Sequence, residues 1–271
     1  EQSDRTHTLY HVETEDHEEE RFRSEATALA RLNHPNIVRL LKFGHHEDRP
    51  YLVMEYVQNG RTLQADMRKG MTAEAALGVV HQLVDALEAA HGARMVHRDI
   101  KPANVMLQAL AGRPNFVRLV DFGLAKFVDD GHSTRMMAGT PSYMAPEQLD
   151  RRNIGPWSDW YALGCIAFEL FTGQRPFPGR TSQEVIALKQ SKSYRPTAQL
   201  DGAGLPPDLV RFFDRMLARD PADRPRTAAE VRAMLRQAVP RAAVIDRNQM
   251  GRQTMALAAA TDDTSVSTGS V

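Results

Sequence analysis

The stretch from Ser158 to Thr172, SDWYALGCIAFELFT, limits most strongly what this chain can fold into. Apolar residues fall on nearly every side of it at helical spacing, and Gly173 follows as a stop. A helix apolar almost all round has to be enclosed by other elements. Its apolar run, Tyr161 to Phe171, contains Glu169 and falls short of the roughly 18 residues of a membrane span. The chain therefore needs a helical core around this segment, and its 271 residues suffice for one large domain or two lobes.

Periodicity predicts the remaining helices. Phe22, Ala26 and Leu29 mark one from 16 to about 32. Leu77, Val80, Val84 and Leu87 mark another from Thr72 to about Ala90, with Thr72 as N-cap and Gly92 as stop. A further helix covers 207–217, and a last one starts at Thr227, where TAAE offers a capping box through Glu230. The apolar runs 37–43 and 51–57 read as strands joined by the polar GHHEDRP. Shorter strand-like pieces lie around Met95, at 105–107 and at 116–120, and 131–139 reads as a loop. The layout is α+β: a small part with strands and one helix, then a larger helical part, with Gln58–Gly60 as the joint. Beyond about Pro240 the composition shifts to Ala, Thr, Ser, Asp and Gly, which predicts a disordered tail or linker.

Composition removes several classes of function. Lys plus Arg equals Asp plus Glu at 34 each, which argues against a nucleic-acid surface or a polybasic membrane patch. The single Cys165 excludes an intrachain disulfide, fits a reducing compartment and reads as a small buried apolar residue. The opening EQSDRTHTLYHVETEDHEEE is polar and acidic and has no apolar signal core. The first residue is Glu1 rather than Met, so a trimmed or processed start is expected.

The chemistry concentrates in VHRDIKPANVML, Val96 to Leu107. A carboxylate within hydrogen-bond reach of a hydroxyl can align it and take its proton, and Asp99 offers one. Lys101, two residues on, supplies positive charge suited to phosphoryl oxygens. Asn104 carries a neutral carbonyl oxygen and Asp121, in DFG after a strand, a charged one; such oxygens suit Mg²⁺. Alone, Asn104 and Asp121 would read as turn residues.

In order and spacing, HRD at 97–99, Lys101, Asn104, DFG at 121–123, GTPSYMAPE ending at Glu147, Asp159 and Arg224 resemble the eukaryotic-type serine/threonine protein kinases, bacterial members most of all. The resemblance covers about 16 to 238 and implies a two-lobed kinase-like fold with a small β-rich N-lobe, incomplete here, over 1–57 and a helical C-lobe over 58–238. The tail would occupy 239–271. It implies transfer of the ATP γ-phosphate to Ser or Thr hydroxyls of proteins, with Mg²⁺ and with autophosphorylation in trans as a further expectation. Asp99 matches the catalytic-loop Asp, and Asn104 and Asp121 match the metal ligands. The backbone of Glu55, Tyr56 and Val57 matches the hinge that reads adenine, with Met54 guarding the pocket behind it. Arg98 matches a position that pairs with an activation-segment phosphate, the plain alternative being a local ion pair. Ser133 and Thr134 are the candidate phosphosites. Thr140 matches a positioning residue, Glu147 and Arg224 an ion pair, and Asp159 a carboxylate holding the catalytic loop; His97 reads as structural. The expected setting is cytoplasmic, or the cytoplasmic part of a longer protein, with no membrane segment in this chain.

The resemblance has a gap. Related kinases have a Gly-rich strand–turn–strand and a strand Lys before the first helix, whereas the first Gly here is Gly44 and the first Lys is Lys42. Glu25, in the inward arc of the first helix, matches the Glu that pairs with that Lys; upstream candidates are Arg5, His7 and His11. Two readings follow: an N-terminally truncated fragment of an ordinary kinase, or a degenerate kinase acting as a binding or regulatory scaffold. Retention of Asp99, Lys101, Asn104 and Asp121 together favours the first. A helical interaction module with chance motifs is a third, which binding of Mg²⁺-ATP would separate from both.

Overall fold

The computed structural model describes residues 16–46, 49–122, 141–150 and 152–239. Helix α1, Asp16–Arg31, packs on strand β1, Leu40–His46, which pairs antiparallel with β2, Arg49–Met54. Ala26, Leu29, Leu40 and Leu52 close a small apolar contact between them. Strand β1 begins and ends later than the apolar run 37–43 suggests, and β2 begins and ends earlier than the run 51–57. The ladder runs on through His46↔Arg49, into the segment read from sequence as a connection. Main-chain pairing drives the ladder there and does not need apolar side chains at the tip of the ribbon. Ile37 instead makes a parallel bridge to Leu119, with Val38 N donating to Leu119 O at 2.9 Å.

The second sheet has the order β3–β4–β5, from Arg61–Thr62, Val105–Leu110 and Arg113–Leu119. Helix α2, Leu63–Lys69, follows β3 directly, and α3, Ala73–Gly92, is capped by the Thr72 hydroxyl on Ala75 N. The apolar face of α3 is buried as the periodicity requires, with Val80, Val84 and Leu87 inaccessible. Gly92 ends that helix from within it, and Ala93 is the cap. Met95 is not in a strand; Met95 N donates back to Ala90 O after a turn at Arg94 with φ 59°.

The enclosed helix of the sequence is α5, Pro156–Thr172, with α4, Pro146–Leu149, just before it. Fourteen of the seventeen residues of α5 are buried, so it does form the centre of the larger lobe. Helix α3 lies on one side and α7, Pro207–Met216, on another. Gly164 allows that approach: a Cβ there would sit 2.7 Å from Met216 Cβ. Gly173 closes α5 with φ 76°, a left-handed cap. Helix α6, Ser182–Gln190, packs near α4, and α8, Ala228–Ala238, covers α7 and α3. Thr227 caps α8 through Glu230 N as expected, while the Glu230 carboxylate reaches Arg226 N rather than the N–H of Thr227. Among the described residues no helix is long and apolar enough to cross a membrane.

Candidate active site

The loop from Met95 to Lys101 lies between α3 and the short 3₁₀ turn Pro102–Asn104 before β4. Its backbone is strained at Arg98, φ 64°, and Asp121 after β5 has φ 57°. Left-handed non-glycine residues cost about 1–3 kcal/mol and persist where surroundings enforce them. Asp159, in the first turn of α5 and buried, supplies that enforcement. Its Oδ2 accepts from His97 N at 2.9 Å and its Oδ1 from Arg98 N at 2.9 Å. His91 Nε2 lies 2.8 Å from Oδ2 as well. The central helix therefore fixes the loop directly.

His97 is completely buried. Its Nδ1 accepts from Asp99 N at 3.3 Å, and its Nε2 donates to the Val120 carbonyl at 2.9 Å, so the ring is neutral with its proton on Nε2. Burial lowers its pKa against the opposing pull of Asp159 and the Val120 hydrogen bond. Phe122 packs on the same ring at 4.5 Å between centroids. His97 thus ties the loop to the end of β5, in line with its structural reading.

Asp99 is the hub. Lys101 Nζ donates to its Oδ2 at 2.7 Å, and Asn104 Nδ2 donates to its Oδ2 at 3.0 Å and its main-chain O at 2.9 Å. Val120 N donates to Asn104 O at 3.0 Å, which brings the backbone before Asp121 against Asn104. Burial raises the pKa of Asp121, His97 and Lys101 pull it down, and the charge of Asp99 adds to the rise. Because Nδ2 of Asn104 faces Asp99, its Oδ1 is the end left to accept or ligate. An amide oxygen and a carboxylate fit Mg²⁺, which keeps waters and takes phosphate oxygens. Among the described residues no group of three or more His, Cys, Asp or Glu forms a metal cage; an ion carried with a nucleotide does not need one.

Glu147 and Arg224 make a two-armed ion pair at 2.7 and 2.9 Å, buried on both sides. Ser158 Oγ donates to Glu147 at 2.7 Å, and Arg224 also donates to the carbonyls of Ala218 and Arg219. After β2, Glu55 N donates to Arg39 O at 2.9 Å and Val57 O accepts from Gly60 N at 3.1 Å. The Glu55 carboxylate pairs with Arg118. Met54 packs against the core, while Tyr56 is exposed. Ser133, Thr134 and Thr140 lie outside the described residues.

Four contacts were not read from the sequence. Arg98 Nη1 lies 4.0 Å from Glu25 Oε1 and so joins α1 to the loop. Gln148 donates to Arg98 O at 2.7 Å. Arg118, on β5, meets Glu55, just after β2. Lys189, 2% exposed, donates to the carbonyls of Ser142 at 3.0 Å and Met144 at 2.6 Å. None of these pairs is close in sequence, and no local pattern marks them.

Residues 7–235 match the protein kinase domain family. The chain belongs to that family. The match begins upstream of Asp16, where the motifs place its start, and ends within α8. This kinase domain is 39% identical over 225 residues to serine/threonine-protein kinase pkn3 of Myxococcus xanthus, covering 79% of the chain and 41% of pkn3. It is 38% identical over 226 residues to PknB of Mycobacterium tuberculosis, covering 79% of the chain and 35% of that protein. The chain thus spans well under half of these relatives. The PknI kinase domain of Mycobacterium tuberculosis superposes with a TM-score of 0.65 at 26% identity, over 86% of each chain. The kinase fold, with its small strand-bearing N-lobe and helical C-lobe, is the one expected from the motifs.

Proposed function

We propose that this kinase domain transfers the γ-phosphoryl group of ATP to Ser or Thr hydroxyls of proteins. The observation that carries the proposal is the Asp99 carboxylate held by Lys101 and Asn104, with the backbone just before Asp121 bonded to Asn104 through Val120 N. Asp99 aligns the acceptor hydroxyl and takes its proton. Asn104 fixes the carboxylate in rotation, and Lys101 places positive charge where transferred oxygens gather. Asn104 Oδ1 and Asp121 would hold Mg²⁺, which when bound offsets phosphate charge. The main chain of Glu55 and Val57 would read adenine. Lys101 two residues after Asp99, and the names of the relatives, favour Ser and Thr over Tyr. Arg98, Ser133 and Thr134 as a phosphate switch, Thr140 as a positioning residue, and autophosphorylation in trans belong to the same proposal. So do the bounds 1–57, 58–238 and 239–271 and a cytoplasmic setting.

A second reading, a scaffold that binds without turning over, is favoured by one observation. Glu25 lies 4.0 Å from Arg98, and the 24 residues given before it contain no Lys. The two separate in one assay on the full-length protein, as distinct from the 271-residue chain: labelled ATP, Mg²⁺ and dephosphorylated casein, with Asp121→Ala as the blank. Phosphoserine or phosphothreonine above the blank supports the kinase reading. Label confined to phosphotyrosine contradicts the substrate class, and nucleotide binding with no label favours the scaffold.

A further inference from the structure

Lys189 is the buried charge that the phosphoryl-transfer reading leaves unexplained. It projects from α6 into a site between the rings of Tyr161, 4.8 Å from its Nζ, and Phe177, 4.6 Å away. Its two protein acceptors are carbonyls on one short segment, Ser142 and Met144. The residue between and the second acceptor, Tyr143 and Met144, line a small cavity together with Asp99 and Lys101.

Holding an ammonium in an apolar pocket is costly, and a well-packed hydrophobe of similar volume commonly replaces a buried charge without loss of stability. Burial accordingly pushes the Lys189 ammonium down to about 8. Cys165 and Glu147 oppose that shift and Arg224 adds to it; Tyr161 faces the group with its ring. What lysine supplies and a hydrophobe does not is a pair of donors aimed at two carbonyls. We propose that Lys189 is a positioning residue for phosphoryl transfer: its two hydrogen bonds to Ser142 and Met144 fix the wall beside Asp99 along which an acceptor peptide lies. The purpose of the wall rests on the reading of Asp99 given above, whereas the anchoring itself does not.

The test is hydrogen exchange of the chain without nucleotide or substrate, on wild type, Lys189→Met and the surface control Lys192→Met. In Lys189→Met the amides of 142–148 exchange at least about tenfold faster, those of α5 and α7 are unchanged, and the melting midpoint stays within about 2 °C or rises. The wild type adds a pH signature. An opened segment frees Lys189 to its ordinary, higher pKa, so the proton favours the open form. Opening, corrected for intrinsic exchange chemistry, therefore falls about tenfold from pH 7 to pH 9 in wild type and stays flat in Lys189→Met. A misfolded or broadly destabilised Lys189→Met, with exchange faster throughout the lobe, overturns the proposal, because Lys189 would then be a core residue only. Unchanged exchange at 142–148, or a wild type without the pH signature, overturns it as well. Absence of phosphoryl transfer in the casein assay would sink the functional reading and leave this result untouched.

Discussion

At the scale of single residues, Asp99 and Asp159 separate chemistry from support. In the full-length protein, Asp99→Asn removes the proposed proton acceptor and keeps the shape, so turnover should fall by about 10²–10⁴-fold with ATP affinity nearly unchanged. Initial-rate kinetics with a nucleotide-binding titration check this, and a parallel loss of affinity would place Asp99 in ground-state binding instead. Asp159 accepts from two backbone N–H groups and faces His91. An amide offers one accepting oxygen, so Asp159→Asn strands a buried donor and should cost about 1–3 kcal/mol in urea unfolding. His97 should titrate below its ordinary 6.5 because burial disfavours its charged form. A His whose folded pKa is lowered contributes stability that is complete above the unfolded value and is lost as pH falls from about 6.5 toward the folded value. An NMR titration of the His97 ring with a midpoint at or above 6.5 would contradict the neutral tautomer seen in its hydrogen bonds.

At the scale of elements, the Glu147–Arg224 pair joins α4 to the turn before α8 and locks Ser158 at the head of α5. Removing one partner leaves a charge buried and unpaired, so Arg224→Met should cost about 3–5 kcal/mol in chemical denaturation, and adding Glu147→Gln should recover part of it. Equal losses for the single and double variants would mean the pair is not the anchor. The elements differ in how plainly they stand in the sequence. Helices α1, α3, α5, α7 and α8 span two turns or more and show their apolar stripe, and Thr72 and Thr227 mark two starts. Helix α2 is short and buries Leu63 alone, so periodicity has nothing to act on, although the Thr62 cap was there to be seen. Helix α6 hides for a different reason: one of its two buried residues is Lys189, a polar letter at a core position. In the site, Asp99, Lys101 and Asn104 are neighbours in the chain and could be read together. Arg98 with Glu25, and Lys189 with the 142–144 segment, meet only through the tertiary fold.

For the molecule as a whole, the proposed catalytic residues Asp99, Lys101, Asn104 and Asp121 stand in a chain whose given sequence has no Gly before Gly44 and no Lys before Lys42. Phosphates are held in this family by a Gly-rich loop, a strand Lys and metal together, and a displacement of about 1 Å can lower a rate about 100-fold. The 271-residue chain should therefore transfer phosphate to casein near background. Turnover of about 1 per second, ordinary for kinases, would show that another group, such as Arg5, replaces the clamp. On the proposed reading, such a chain would retain the metal-dependent half of nucleotide binding, through Asn104 and Asp121. Calorimetric titration with ATP, with and without Mg²⁺, tests that most directly. The account predicts weak binding that requires Mg²⁺, falls at least about tenfold in Asp121→Ala and persists in Asp99→Asn. Binding that ignores Mg²⁺, or that survives Asp121→Ala intact, would contradict it.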